Sequence, residues 1–459
     1  FYSSFIPYPS SFQWNCNGRS MSRLSFKHRA IPALLLTWFV ILCISSVRQK
    51  SITYDEAAYL PAGYSYWKMG DFKMNVEHPP LVKLLSAFPL LFMDLNFSTD
   101  QQSWSANDVL TFGRWFIFET NGHASETLLF WARVPMILLG AALGLMVWVW
   151  ARRLWGETAA HMALLLYVLE PNIIAHSRFI GTDIPIALFV TSTLYFLWRF
   201  LGRGRGTASA LGEVSMKTDI HVGSQRVMSP RAGWKTRLRT DVFYRPGPWG
   251  VILTGCSLGL ALATKFSGLF LLPIMAALIC LYRHSSDENR QLKIDRTGLS
   301  AKRMDRESQS NASFSNSIPS ALRAFLLMVT VALIVVWASY SFEFEPLAAN
   351  PEVIRRLEAV IADHGQPAWK RTLFRAARDG PIPAGTYLKG LVNLAQHASR
   401  GHRAYFMGEY SQTGWWGYFP VAFLIKTPPA LLIFFLLSFI LRQRGACRPW
   451  RDEAFLVLP

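Results

Sequence analysis

Residues 128–150 read LLFWARVPMILLGAALGLMVWVW. As a helix these 23 residues reach roughly 35 Å at 1.5 Å per residue, enough to cross a hydrocarbon layer of about 30 Å. Similar runs lie near 30–47, 158–175, 184–201, 249–264, 268–282, 320–342 and 418–441. The chain is 51% hydrophobic and 17% charged, against roughly 25% charged in soluble proteins. Disorder is excluded, because it requires low hydrophobicity. A compact soluble enzyme is not expected. The reading is an all-α polytopic membrane protein.

Forty-seven basic residues face 29 acidic ones, a net charge of +18. Nucleic acid is one partner for such a charge, but 14% aromatic content and long apolar runs point to lipid, and no nucleic-acid partner is expected. Segment 202–248 holds nine basic residues and segment 283–319 holds seven. Cytoplasmic loops are enriched in Lys and Arg. Pairing 249–264 with 268–282 as a hairpin puts both segments inside, as flexible basic connectors rich in Ser, Gly and Arg. Segments 48–127, 176–183 and 343–417 then fall outside. The Arg content of 343–417 is no contradiction, because long loops follow the charge rule poorly.

Residues 1–29 read as an N-terminal extension, with Met21 as the expected true start. Arg23, Lys27 and Arg29 precede a retained anchor at 30–47. The transmembrane domain is 30–441, and 442–459 is a cytoplasmic segment leading to a truncated C-terminus. Cys16, Cys43, Cys256, Cys280 and Cys447 lack metal-ligand spacing, so neither a disulfide framework nor a cysteine zinc site is expected. Leu81 to Met93 is too short to span and contains Pro89. It reads as a helix lying in the outer interface, with a second at Tyr387–His397. No internal repeat is visible, which weighs against a secondary transporter.

Polar clusters at span ends are where chemistry is expected. Asp55 and Glu56 follow the first span. Adjacent side chains on a helix point about 100° apart, so the two do not form a facing acid–base pair, and a helix N-terminus is the simpler reading of this motif alone. Glu77-His78-Pro79-Pro80 fixes a carboxylate and an imidazole at headgroup level, because the proline pair pins the backbone. His78 there suits a phosphate or a metal. Glu170 to Asp183 carries Asn172, His176, Arg178 and Asp183 between two spans. Lys265 stands alone between two short apolar runs, and snorkelling explains it equally well. Gly401 to Lys426 carries His402, Arg403, Glu409 and Tyr410, which an interfacial tryptophan belt at Trp415 and Trp416 does not explain.

The ordered set resembles a known family. Asp55-Glu56, Ala62 to Tyr66, Gly70-Asp71-Phe72, Glu77 to Leu81, Arg178 to Asp183, Thr264 to Leu269 and Gly408 to Pro428 look like the signature of bacterial glycosyltransferases that use polyprenyl-phosphate sugars. These are related to protein O-mannosyltransferases and lipid A aminoarabinose transferases. The resemblance covers roughly residues 30 to 441. It implies a GT-C-like multi-helix transmembrane bundle with outer-face interfacial helices. It implies Asp55 as the catalytic carboxylate, with Glu56 beside it. Donor phosphate contacts fall on His78, Lys265, Arg178 and Arg403. Substrate contacts fall on Glu77, Asp183, His402, Glu409 and Tyr410, and a divalent metal ion on Glu77 and His78. The aminoarabinose branch has Glu-Lys-Pro-Pro where this chain has Glu77-His78-Pro79-Pro80, so the permanent cation of the family is replaced by a titratable group.

The implied reaction is inverting transfer of a sugar from a polyprenyl-phosphate donor to an acceptor hydroxyl. The acceptor is a lipid A, another glycolipid, a polysaccharide or a protein. The implied location is the periplasmic face of a bacterial inner membrane. The alternative from another class is a polytopic transporter or lipid flippase, which predicts polar groups near the bilayer midplane. Convergence of Asp55, His78, Asp183 and Lys265 at one end of the bundle separates the two.

Overall fold

In the computed structural model the described residues are 21–202, 248–282, 317–346, 355, 367–370, 372, 380–400, 403–443 and 455. The N-terminal extension to residue 20, most of both basic segments, His402 and nearly all of 444–459 lie outside them. Among the described residues the fold is helical, with two small two-stranded ladders.

Helix α1 (Met21–Val47) contains the first candidate span, Ala30–Val47. Three shorter helices follow: α2 (Tyr54–Met69), α3 (Leu81–Ala87), which continues as a 3₁₀ turn to Phe92, and α4 (Gln102–Ser105). Next come α5 (Val109–Arg114) and the long α6 (Ser125–Trp155), which holds residues 128–150. Helices α7 (Glu157–Val168) and α8 (Pro171–Ser177) meet at a bend of 65°. Helix α9 is Asp183–Gly202, α10 is Pro248–Thr264 and α11 is Phe266–Tyr282, opening with a 3₁₀ turn. Helix α12 is Ser317–Ser339 and α13 is Gly385–Arg400. Helices α14 (Tyr418–Lys426) and α15 (Pro429–Gln443) meet at 110°.

Among the described residues four helices are long and apolar enough to cross a membrane, or up to six if each bent pair counts as one span. The chain is an integral membrane protein. Two expected spans are corrected in shape. Run 158–175 breaks before Pro171, because Glu170 caps a new helix: its carboxylate accepts the Ile173 N–H at 2.6 Å. Run 418–441 breaks at Thr427-Pro428, where proline disfavours helix in the residue before it and Thr427 is extended.

The expected hairpin at 249–282 is present. Thr264 ends α10, Lys265 is extended (φ −154°, ψ 138°), and α11 returns. At the far end, Gly250 packs on Phe200 and Gly202 lies beside Tyr282. The points where α9 and α11 end and α10 begins therefore share one end of the bundle. Helix α10 packs closely on α12 through Gly255 and Gly259, where an added Cβ would meet the carbonyls of Met328 and Ala332 at 2.7 Å each. Small residues four apart let membrane helices approach in this way.

Strand β1 (Phe344–Glu345) pairs antiparallel with β2 (Ile382–Pro383), ahead of α13. Strand β3 (Ala404–Phe406) pairs with β4 (Glu409–Ser411). Met407 (φ 49°) and Gly408 (φ 97°) make the turn between them, the left-handed pair that tight hairpins favour.

Candidate functional site

The site is organised by a carboxylate that sequence reasoning set beside Asp55 in the catalytic centre. Glu56 is fully buried at the start of α2. Its Oε2 accepts the Thr53 N–H at 2.8 Å and the Thr53 hydroxyl at 3.1 Å, a capping interaction. Arg133 grips both carboxylate oxygens, Nε to Oε1 and Nη2 to Oε2, at 2.7 Å each. Oε1 also accepts the Ile180 N–H at 3.0 Å. Glu56 is therefore consumed by structure: its acceptor capacity is filled from inside the protein. Arg133 directs its remaining N–H groups to the carbonyls of Val47, Lys50 and Ser51, at 3.4, 2.9 and 2.9 Å. The pair thus ties together the end of α1, the start of α2, α6 and the link that leads to Asp183.

Asp55, one residue away, is exposed in the first turn of α2. One turn further on, Tyr59 is 4% exposed. Burial lifts its phenol well above the ordinary range, and Asp55, Glu77 and Asp183 push it the same way. Tyr59 also meets His78 edge-on, with ring centroids 5.9 Å apart. Around Tyr59 the structure gathers carboxylates from α2, from the loop before α3 and from the start of α9.

Asp183, in the first turn of α9, receives Lys265 Nζ at 3.0 Å on Oδ1, and His176 Nδ1 lies 3.4 Å from Oδ2. Lys265 sits at the α10–α11 break, where the extended backbone ends one helix before the next begins. His78 is partly buried. Burial, then the Lys83 and Lys265 cations, hold its pKa down at about 4, with Asp183 opposing. The imidazole is therefore neutral at pH 7.

Lys83 was not singled out by sequence reasoning, yet it holds the Glu77-His78 loop. It is 1% exposed in α3. Its ammonium donates to the His78 carbonyl at 2.6 Å and to the Asn75 carbonyl, and it lies 3.4 Å from the Tyr66 hydroxyl. Tyr66 in turn donates to the Met74 carbonyl. Burial pushes Lys83 down to about 7, with Glu77 opposing. The available signal was a lysine inside an apolar run. For Arg133 the signal was the same: it is the one charge within residues 128–150.

The other expected residues stand apart from this group. Arg178 turns back to α1 and donates to the Ser46 hydroxyl. Arg403 stacks on the Tyr410 ring at 5.4 Å beside the β3–β4 hairpin, with Glu409 and Tyr410 exposed on it. His402 lies outside the described residues. Helix α14 does reach this end of the bundle, since Asn172 donates to the Lys426 carbonyl at 2.8 Å. Among the described residues no three His, Cys, Asp or Glu side chains group to hold a metal ion. Glu77 is exposed, and the buried His78 Nδ1 has no hydrogen-bond partner. Glu77 and His78 are two donors, short of the three that such a group needs.

Comparison with known proteins adds a family signal. Residues 123–212 match the family model described as dolichyl-phosphate-mannose-protein mannosyltransferase. This stretch carries Arg133, His176, Arg178 and Asp183, but not Asp55 or His78. No curated protein matches the chain. Among solved structures it is similar to the S. cerevisiae protein O-mannosyltransferase Pmt1–Pmt2 complex bound to the sugar donor, at 17% identity and a TM-score of 0.36. That alignment covers 68% of this chain and 33% of the other, so this chain spans about a third of the length of its match. The family match supports the coarse reading of a membrane glycosyltransferase.

Proposed function

We propose that the chain is a membrane glycosyltransferase that moves a sugar from a polyprenyl-phosphate donor to an acceptor hydroxyl. One observation carries the reading. Lys265 pairs with Asp183 at 3.0 Å, Tyr59 meets His78 with ring centroids 5.9 Å apart, and Asp55 stands one turn before Tyr59 on α2, at one end of the bundle where candidate spans begin and end. A lipid-linked sugar presents its reactive carbon at that level. A transporter would instead place its polar groups at mid-membrane depth.

In this reading Asp55 is the base. It is the carboxylate of the α2 N-terminus left open to solvent, whereas Glu56 is sealed. Asp55 takes the acceptor hydroxyl proton as the acceptor oxygen bonds to the anomeric carbon. The bond from that carbon to the phosphate oxygen breaks on the opposite face, giving inversion. The electron pair leaves with polyprenyl phosphate, which changes from diester to monoester and gains negative charge. Lys265 meets that charge, and Asp183 aims Lys265 through the 3.0 Å contact. His78 is neutral and serves as a hydrogen-bond partner.

The match to a mannosyltransferase family favours mannose as the first sugar to test and a protein hydroxyl as the first acceptor. The working face is the periplasm or cell exterior of a bacterial plasma membrane. The test is turnover of purified full-length chain with polyprenyl-phosphate mannose, scored as release of polyprenyl phosphate. Asp55→Asn is expected to abolish release while donor binding persists. Normal turnover by Asp55→Asn would remove Asp55 from the role of base.

A further inference from the structure

A second polar opening lies on the other side of the Glu56–Arg133 pair. It is a groove of about 840 Å³ between the end of α1 and the start of α6, bordered by Arg48, Lys50, Phe118, Phe130, Trp131 and Arg133. Arg133 lines the groove, and neither Glu56 nor Asp55 does.

The groove is built rather than incidental. Arg133 holds the carbonyls of Val47, Lys50 and Ser51, at 3.4, 2.9 and 2.9 Å. That fixes the backbone of the turn and leaves the Arg48 and Lys50 side chains exposed. Neither cation pairs with a carboxylate among the described residues. The Arg48 guanidinium lies 5.2 Å over the Phe130 ring, a geometry that orients it. Glu126 is the single free carboxylate on the border, so the border carries a surplus of positive charge.

Its surroundings identify what it meets. The span Ala30–Val47 ends here and the span Gly122–Trp155 begins here. Trp131 and Phe118 are each 47% exposed, as aromatic residues at a membrane interface are. On α1, Leu34, Trp38 and Ile41 are exposed, and Ser45 and Arg48 continue the row. The spacing of four, three and four keeps Leu34, Trp38, Ile41 and Ser45 on one side of the helix, and Arg48 is the first residue after its end. An apolar stripe therefore runs along the first span and ends at an unpaired cation.

From this we infer a binding site for an anionic phospholipid. One acyl chain lies along Leu34, Trp38 and Ile41, and the phosphate sits between Arg48 and Lys50. This site is separate from the donor site proposed above and does not depend on the transfer reaction.

The test uses the purified full chain and dioleoyl-phosphatidylglycerol as probe, read by native mass spectrometry of retained lipid and by the rise in melting midpoint. The Arg48→Gln/Lys50→Gln variant changes only exposed side chains and is expected to fold. Cations at a membrane surface are worth enough that the double change should weaken phosphatidylglycerol binding by roughly thirtyfold. Trp131→Ala should weaken it with the charges intact. Phosphatidylcholine should bind less well, and inorganic phosphate should give no shift. Arg152→Gln/Arg153→Gln, at the other end of α6, is the control for general electrostatics. Unchanged lipid binding by the first double variant, or equal loss in the control, would overturn the assignment. A melting shift from inorganic phosphate equal to that from the lipid would also overturn it.

Discussion

Arg133 and Glu56 form a bidentate ion pair with both N–O distances at 2.7 Å, and their side chains are 2% and 0% exposed. Removing one partner strands a buried charge, which typically costs about 3–5 kcal/mol. Arg133→Met should therefore lower the melting midpoint sharply, and Glu56→Gln should do so to a similar or smaller degree. The Arg133→Met/Glu56→Leu pair should recover part of the loss, because no charge is then left unpaired. If Arg133→Met melted like the native chain in the same detergent, the pair would not be the anchor of this end of the bundle.

That anchor shows what sequence could and could not display. Apolar length revealed the spans, and the charge of the two basic segments pointed to a hairpin at 249–282. Asp55 and Glu56 looked alike in sequence. Their separation into an open and a sealed carboxylate depends on Arg133, 77 residues after Glu56, and no local pattern carries that. The 110° bend after Lys426 was signalled by Pro428 but hidden by unbroken hydropathy on either side. Lys83 was concealed for the opposite reason, since a lysine in a short interfacial helix ordinarily snorkels outward. Here two carbonyls and a phenol oxygen hold it inside.

Lys265 is the cation assigned to the leaving phosphate. Losing a preorganised group that stabilises developing charge costs roughly 10²–10³-fold in rate. Lys265→Ala should reduce polyprenyl phosphate release by that order, and Lys265→Arg should restore part of it. Asp183→Asn keeps the cation but loosens its aim, so a smaller loss is expected. Comparable turnover by Lys265→Ala and native protein would transfer the role to another cation, with Arg403 the next to test.

The stability of this region should rise with pH in two windows. His78 titrates near its ordinary 6.5 when unfolded and at about 4 when folded. Between pH 6.5 and 4 the unfolded chain holds a proton that the folded chain refuses, so stability falls as pH falls through this range. Lys83 has an ordinary value of 10.5 and a folded value of about 7. Between pH 7 and 10.5 the unfolded state again binds more protons, so stability climbs as pH rises. His78→Gln should flatten the acid window, and Lys83→Met the alkaline one, in melting curves against pH. A melting midpoint that drops on going from pH 7 to pH 9 would contradict the burial of Lys83.

Gly63 makes the packing of α2 on α3 testable without touching a charge. A Cβ there would overlap the Lys83 carbonyl and lie 3.0 Å from the Ala87 side chain. The obstacle is backbone, which cannot rotate away as a side chain can. Gly63→Ala must push the two helices apart, at a cost of typically 1–3 kcal/mol. The displacement would also draw Lys83 away from the His78 carbonyl, so sugar transfer should fall along with melting temperature. Gly70→Ala is the contrast. Gly70 ends α2 in the left-handed region at φ 67° with open space around it. Its substitution should cost about 1–2 kcal/mol from conformation alone and leave transfer near the native rate. Equal effects of the two variants on transfer would mean that the α2–α3 contact does not position the Glu77-His78 loop.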